Sequence, residues 1–153
     1  MNQRLIVRKG EFKDSTSVYR LLCLVADLHR DGRPDMFPNL KSKYTLEQVS
    51  QRLTEESSGI IIAESDCSVV GYIFCDVIKE GDGLTLYVDD LCVDPSVRCM
   101  GVGRALLDYA AHYGKENGCR CLMLNVWEFN KTAVDFYLNY GLETRSRHLE
   151  MLL

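Results

Sequence analysis

The run Asp89-Asp90-Leu91-Cys92-Val93-Asp94-Pro95-Ser96-Val97-Arg98-Cys99-Met100-Gly101-Val102-Gly103-Arg104-Ala105-Leu106-Leu107 constrains the fold most, because it reads as a strand, a tight turn and the opening of a helix. Gly101 and Gly103 stand where the backbone must bend sharply, and Val102, Leu106, Tyr109 and Tyr113 then recur at helical spacing. The first amides of such a helix lack intrahelical acceptors and lie at the positive end of the aligned peptide dipoles. Without side chains at Gly101 and Gly103 an anion can approach those amides, and Arg98 and Arg104 add charge at the rim. A diphosphate is the matching guest.

Spacing excludes other phosphate loops. Leu106 follows Gly103 where a dinucleotide fingerprint needs Gly or Ala, and no Gly-Lys-Ser/Thr occurs. The pattern that remains is Arg/Gln-x-x-Gly-x-Gly/Ala after a strand. Here the chain resembles the GCN5-related N-acetyltransferase (GNAT) family, whose members bind the pyrophosphate of acetyl-CoA on this turn. The resemblance implies that Arg98, Cys99, Met100, Gly101, Val102, Gly103 and Arg104 hold the cofactor. Cys99 stands where many relatives have Gly, and it is expected to be tolerated because the two later glycines are intact.

Two further stretches carry the resemblance. Leu84, Leu86 and Val88 share one strand phase while Leu91 and Val93 share the other, so the inward face slips at Asp89-Asp90 and a bulge is expected. It resembles the family's splayed central strand, which frees backbone groups of Leu91, Cys92 and Val93 for the pantetheine arm. Asn130-Lys131-Thr132-Ala133-Val134-Asp135-Phe136-Tyr137, closed by Tyr140-Gly141, resembles the family's Asn-x-x-Ala-x-x-Phe-Tyr-x-x-x-Gly helix. It implies cofactor contacts from Asn130, Ala133 and Tyr137, with Asn130 also capping its helix.

The order of elements fits this family throughout. An α/β fold in one domain, residues 1–153, is expected: a mixed, mostly antiparallel sheet of about seven strands with a splayed fourth strand, flanked by about four helices. Leu5-Ile6-Val7 opens the sheet. Asp14 offers an N-cap to a helix with Val18, Leu21, Leu22, Val25 and Leu28 on one face, ending near His29. Thr45 and Gln48 form a capping box for a second helix, and residues 60–64 and 69–78 read as a hairpin. The third helix ends between Gly114 and Gly118, a strand follows at 121–126, and short strands at 142–144 and 147–152 complete the sheet.

Residues 30–44 are broken by Gly32, Pro34 and Pro38 and form a loop with Arg33, Asp35 and Phe37. The family places its variable recognition elements here, so these three residues are candidates for substrate binding; the plainer reading is a loop covering apolar surface with Met36 and Phe37.

Composition sets outer limits. A formal net charge of −4 argues against a general nucleic-acid binder and is compatible with a cationic amine substrate. The N-terminal run, residues 1–8, has no signal-type apolar core and no stretch is long enough to span a bilayer, so a cytoplasmic protein without a membrane role is expected. The cysteines number seven, and Cys75, Cys92, Cys119 and Cys121 lie in strand-like runs where a thiol behaves as a buried hydrophobe. Cys119-x-Cys121 has no accompanying Cys or His cluster, so no metal is expected.

These observations lead to an acetyl-CoA-dependent N-acetyltransferase acting by direct amine attack on a small molecule. An acetyltransferase of proteins or peptides and a non-catalytic acyl-CoA sensor are the alternatives, and a homodimer is a candidate assembly because related enzymes often form one. Asp89 and Asp90 are the candidate bases, of which the sequence selects neither; resemblance to polyamine-type members leans toward Asp89. Some peptide-acetylating members have a glutamate where this chain has Asn125, and Glu128 is a displaced substitute. Tyr137 matches the family's general acid, whose hydroxyl protonates the leaving thiolate. A backbone N–H at Cys92 or Val93 is the implied oxyanion donor.

Overall fold

The β-branched run Ile60-Ile61-Ile62 does not alternate with polar residues, which is the pattern of a strand covered on both faces. A computed structural model, describing residues 4–153, places it there. Strands β1 (Leu5–Lys9), β2 (Ile60–Ser65), β3 (Ser68–Glu80), β4 (Gly83–Val93) and β5 (Cys119–Leu124) lie side by side in sequence order. The first four are antiparallel neighbours and β5 runs parallel to β4. That parallel pair needs a crossover, supplied by helix α3 (Val102–Glu116).

Alternate residues feed two separate cores. Ile61, Ala63, Ile73, Leu86 and Val88 pack under α3 against Val102, Leu106, Leu107 and Ala110. Ile60, Ile62, Tyr72, Phe74 and Cys92 face α1 (Ser15–Gly32) and α2 (Leu46–Thr54) through Val18, Leu21, Leu22, Val49 and Leu53. Helix α4 (Lys131–Tyr140) lays Phe136, Tyr137 and Tyr140 on the α3 side. No helix among the described residues is long and apolar enough to cross a membrane.

Local signals act mostly as read. Thr45 Oγ1 accepts from Gln48 N at 3.1 Å and Gln48 Oε1 accepts from Thr45 N at 2.9 Å, closing the capping box. Asp14 stands at the N-cap of α1, but its carboxylate accepts from Arg8 and from Glu11 N instead of capping the helix. In α3 the buried stripe continues through Leu107, Ala110 and Gly114 while Tyr109 is exposed, because position 109 turns off the face that Val102 and Leu106 define.

Three expectations need correction or limits. The sheet has five strands, not about seven. Residues 143–153 make no backbone hydrogen bond among the described residues, and Leu149, Met151 and Leu152 are 92%, 79% and 89% exposed. With no ladder and no burial, nothing offsets the entropy of ordering a strand. Side chains tie the segment down instead: Arg145 donates to Glu80 at 2.8 Å and Arg33 to Glu150 at 2.6 Å. Cys75 and Cys92 are buried as read, but Cys119 is half-buried and Cys121 exposed, because no strand covers the outer edge of β5. Of the N-terminal run, Met1, Asn2 and Gln3 lie outside the described residues.

Candidate active site

The phase slip is a bulge. In the β3–β4 ladder Phe74 pairs with Asp90 and Cys75 with Val88, which leaves Asp89 as an extra residue without a partner. Leu86 and Val88 before it, and Leu91 and Val93 after it, all reach the α3 core, while Asp90 and Cys92 turn to the other face. The splay begins at the same point. β5 pairs with β4 only along Leu84 to Val88 and ends at Leu124, so residues 89–93 have no strand on that side.

The two carboxylates have different surroundings. Asp89 is engaged at both oxygens: Lys43 Nζ donates to Oδ1 at 2.8 Å and Tyr44 Oη to Oδ2 at 2.6 Å. Asp90 accepts from Tyr72 Oη at 3.1 Å. Burial raises its pKa to about 6, against the opposing charge of Lys43 and the Tyr72 bond and with a further push from Asp89. Burial, helped by the nearby Asp90 carboxylate, pushes the Tyr137 hydroxyl well up, so it is protonated throughout the working range. No side-chain hydrogen bond engages Tyr137 Oη among the described residues. The Cys92 thiol is pushed up to about 12, chiefly by burial, so it is no thiolate nucleophile at neutral pH.

The turn has the conformation that its glycines permit. Gly101 has φ +82° and Cys99 φ +64°, so a cysteine occupies the left-handed region. The first helical amide with a backbone acceptor is Ala105 N, which donates to Gly101 O at 3.0 Å. No side chain caps the end, and a Cβ on Gly101 would meet nothing within 4 Å. An uncapped positive helix end with open space at Gly101 fits a diphosphate, so Val102, Gly103 and Arg104 can present their N–H groups to it. Gly103 has a packing role too: a Cβ there would lie 3.0 Å from the Phe136 ring, so its absence lets α4 approach α3.

Rim residues are partly engaged. Arg98 Nε donates to Val93 O at 3.3 Å, and the Arg104 guanidinium lies 5.2 Å from the centre of the Tyr140 ring. Met100 is 57% exposed. Asn130 Oδ1 accepts from Ala133 N at 3.2 Å and caps α4.

The loop after α1 packs on the segment that follows β5. Phe37 stacks on His29 at 5.5 Å and meets Trp127 edge-on at 5.6 Å, and Trp127 stacks on Phe129. Arg33 lies over Trp127 and binds Asp35 and Glu150. Arg33 and Phe37 therefore join this aromatic wall directly, and Asp35 does so only through Arg33.

The model of the acetyltransferase (GNAT) family matches residues 25–142. The chain belongs to this family. An uncharacterized N-acetyltransferase of Lactobacillus delbrueckii subsp. lactis is 28% identical over 128 residues, covering 80% of this chain and 74% of that protein. A thialysine N-epsilon-acetyltransferase of Sus scrofa is 31% identical over 74 residues, 48% of this chain and 44% of that enzyme. Among solved structures, the BH1408 protein of Bacillus halodurans superposes with a TM-score of 0.86 at 25% identity, over 97% of this chain and 99% of that one. The aminoglycoside N-acetyltransferase AAC(6')-Iy in complex with CoA gives 0.77 at 16% identity over 100% and 97%, a likeness of fold.

Within this GNAT fold, sequence reasoning did not single out His29, Lys43, Tyr44, Trp127 or Phe129 as site residues. A partial signal existed, since Trp127 and Phe129 directly follow a strand whose C-terminal end opens on the splay. Tyr44 and Lys43 directly precede the capping box, which fixes where the chain enters α2. Asn125 donates to Tyr87 Oη at 3.2 Å, and Glu128 pairs with Lys131 on the surface.

Proposed function

We propose that this GNAT protein is an acetyl-CoA-dependent N-acetyltransferase that transfers acetyl to the primary amine of a small molecule by direct attack. The observation that carries the reading is the uncapped positive end of α3 following the splayed end of β4, which carries Asp90. The turn residues 98–104 hold the diphosphate, and the free backbone of 91–93 pairs with the pantetheine arm. An N–H of Cys92 or Val93 receives the oxyanion.

Asp90, not Asp89, acts as the base, because Asp89 already serves Lys43 and Tyr44 while Asp90 has a pKa near the working range. A lysine-like amine with pKa near ~10.4 needs roughly 4 to 5 kcal/mol to deprotonate at neutral pH, and a positioned base makes that transfer directional. Tyr137 supplies the proton to the departing thiolate. A free, protonated hydroxyl in this place supports turnover over a sensor role.

Relatives named thialysine N-epsilon-acetyltransferase and aminoglycoside N-acetyltransferase support acetylation at nitrogen of a small acceptor. The Asp90 carboxylate, which has no salt-bridge partner among the described residues, favours a cationic one. We take the assembly as a homodimer, in which a second copy covers exposed Leu149, Met151 and Leu152 and the free edge of β5; sedimentation velocity checks it, and a monomer at micromolar concentration would refute it.

The deciding experiment is thiol release from acetyl-CoA against polyamines, amino acids, aminoglycosides and short peptides, with calorimetric acetyl-CoA binding alongside. Turnover on a small amine is expected. Preference for peptides would overturn the substrate class, and absence of binding would overturn the reading of the turn.

A further inference from the structure

Lys43 lies on the loop between α1 and α2, and its ammonium reaches the bulge of β4. Nζ is 2.8 Å from Asp89 Oδ1 and 2.9 Å from the Asp89 carbonyl oxygen, so it touches both the side chain and the backbone of the bulge residue. The Tyr44 ring centre is 5.9 Å away on one side. Its charge is felt at Asp90, beside the bulge residue, and at His29, near the end of α1. Other lysines differ: Lys13 and Lys131 pair with Glu11 and Glu128 on the open surface, with side chains 65% and 68% exposed.

We propose that Lys43 occupies the acceptor-amine position of this enzyme and is itself acetylated there, in an intramolecular reaction. The inference rests on the acetyl-CoA reading above. From the bulge residue to the free backbone at Leu91 and Cys92 is two to three residues, on the order of 7 to 10 Å along a strand, a span that the flexible four-carbon stem of lysine covers by swinging away from Asp89. Asp89 holds the ammonium at rest, and Asp90 takes its proton once Lys43 has let go of Asp89. The Nζ lone pair forms the C–N bond at the thioester carbonyl, and the C–S bond breaks. Of the two protons the nitrogen gives up, one leaves through Asp90 to solvent, and the other replaces the proton that Tyr137 Oη gives to the thiolate. The products are an Nζ-acetyl-lysine and free CoA thiol.

The modification changes the site. An acetylated Lys43 carries no charge, so Asp89 is released to bind the ammonium of an external substrate. Loss of the cation also removes the influence that lowers the pKa of Asp90. The unmodified loop is thus a self-occupying plug, and the acetylated loop leaves an emptier, more acidic entrance.

The test incubates the full chain with acetyl-CoA and no acceptor, and follows acetylation at each lysine by peptide mass spectrometry. Expected is a first-order gain of one acetyl at Lys43, with a rate constant independent of protein concentration and at least tenfold above those of Lys13 and Lys131. The gain falls at least tenfold in Tyr137→Phe and is absent in Lys43→Arg. A Lys43→Gln variant, imitating the acetylated state, is expected to lower KM for a cationic amine. Acetylation of Lys43 no faster than of Lys13, or undiminished in Tyr137→Phe, would overturn the proposal. Turnover of an external amine with Lys43 left unmodified would overturn it while leaving the acetyltransferase reading intact, whereas failure to bind acetyl-CoA in calorimetry would overturn both.

Discussion

Replacing Asp90 by Asn separates two consequences of one buried carboxyl. Taking an aspartate from its ordinary 3.8 to about 6 costs about 3 kcal/mol of ionisation, at about 1.4 kcal/mol per pKa unit. Because the folded-state value lies above the unfolded one, the stability Asp90 contributes is complete below pH 4 and is lost as pH rises through about 6. Asparagine keeps an acceptor for Tyr72 Oη but has no charge to desolvate, so Asp90→Asn should be the more stable protein at pH 8 by at most about 3 kcal/mol, several degrees in Tm. The advantage should vanish below pH 4. Activity should move the other way, since the carboxylate is the form that accepts the amine proton. Wild-type kcat/KM should fall about tenfold per pH unit below about 6, and the variant should lose roughly 10² to 10⁴ in kcat/KM, with that acidic limb gone. Paired scanning calorimetry and thiol-release kinetics from pH 4 to 9 test both. Wild-type kcat/KM in the variant, or an acidic limb that survives, would refute the base assignment, and a lower Tm at pH 8 would refute the desolvation argument.

Tyr137→Phe should bind acetyl-CoA nearly normally in calorimetry and lose on the order of 10² or more in kcat, because it removes a proton donor and not the packing of the ring; undiminished kcat sinks the general-acid role. Cys99→Gly should stabilise the fold by up to about 1 kcal/mol in urea unfolding, since a cysteine at φ +64° bears left-handed strain that glycine does not. A decrease in stability would show that the Cys99 side chain contributes more than the strain costs. Gly59→Ala should lose on the order of 3 kcal/mol or more, or fail to fold, because its Cβ would lie 1.8 Å from the Cys75 carbonyl oxygen, where Cys75 N also bonds Gly59 O; soluble protein of ordinary Tm would contradict the packing seen there.

What the sequence discloses and what it hides divide along a physical line. The bulge at Asp89, the turn at Gly101, the capping box at Thr45 and the end of α4 at Gly141 are each determined within a few residues, by strand phase, by φ or by a side chain reaching its own backbone. Such signals survive without tertiary context. The contacts made by the loop after α1 are different in kind. His29, Lys43, Trp127 and Phe129 come from three segments far apart in the chain, and no periodicity ties Lys43 to Asp89, 46 positions away. The same distinction explains the missing strands. Residues 142–144 and 147–152 read as short strands, yet a strand pattern specifies only which side chains want burial and not whether an edge is present to receive them. In this chain the outer edge of β5 takes up no such segment, and Leu149, Met151 and Leu152 are left uncovered by the chain's own residues. Sequence therefore located what is determined locally, the turn at Gly101 and the bulge at Asp89. The aromatic wall and the Lys43–Asp89 pair, assembled from separate loops, emerge only from the packed structure.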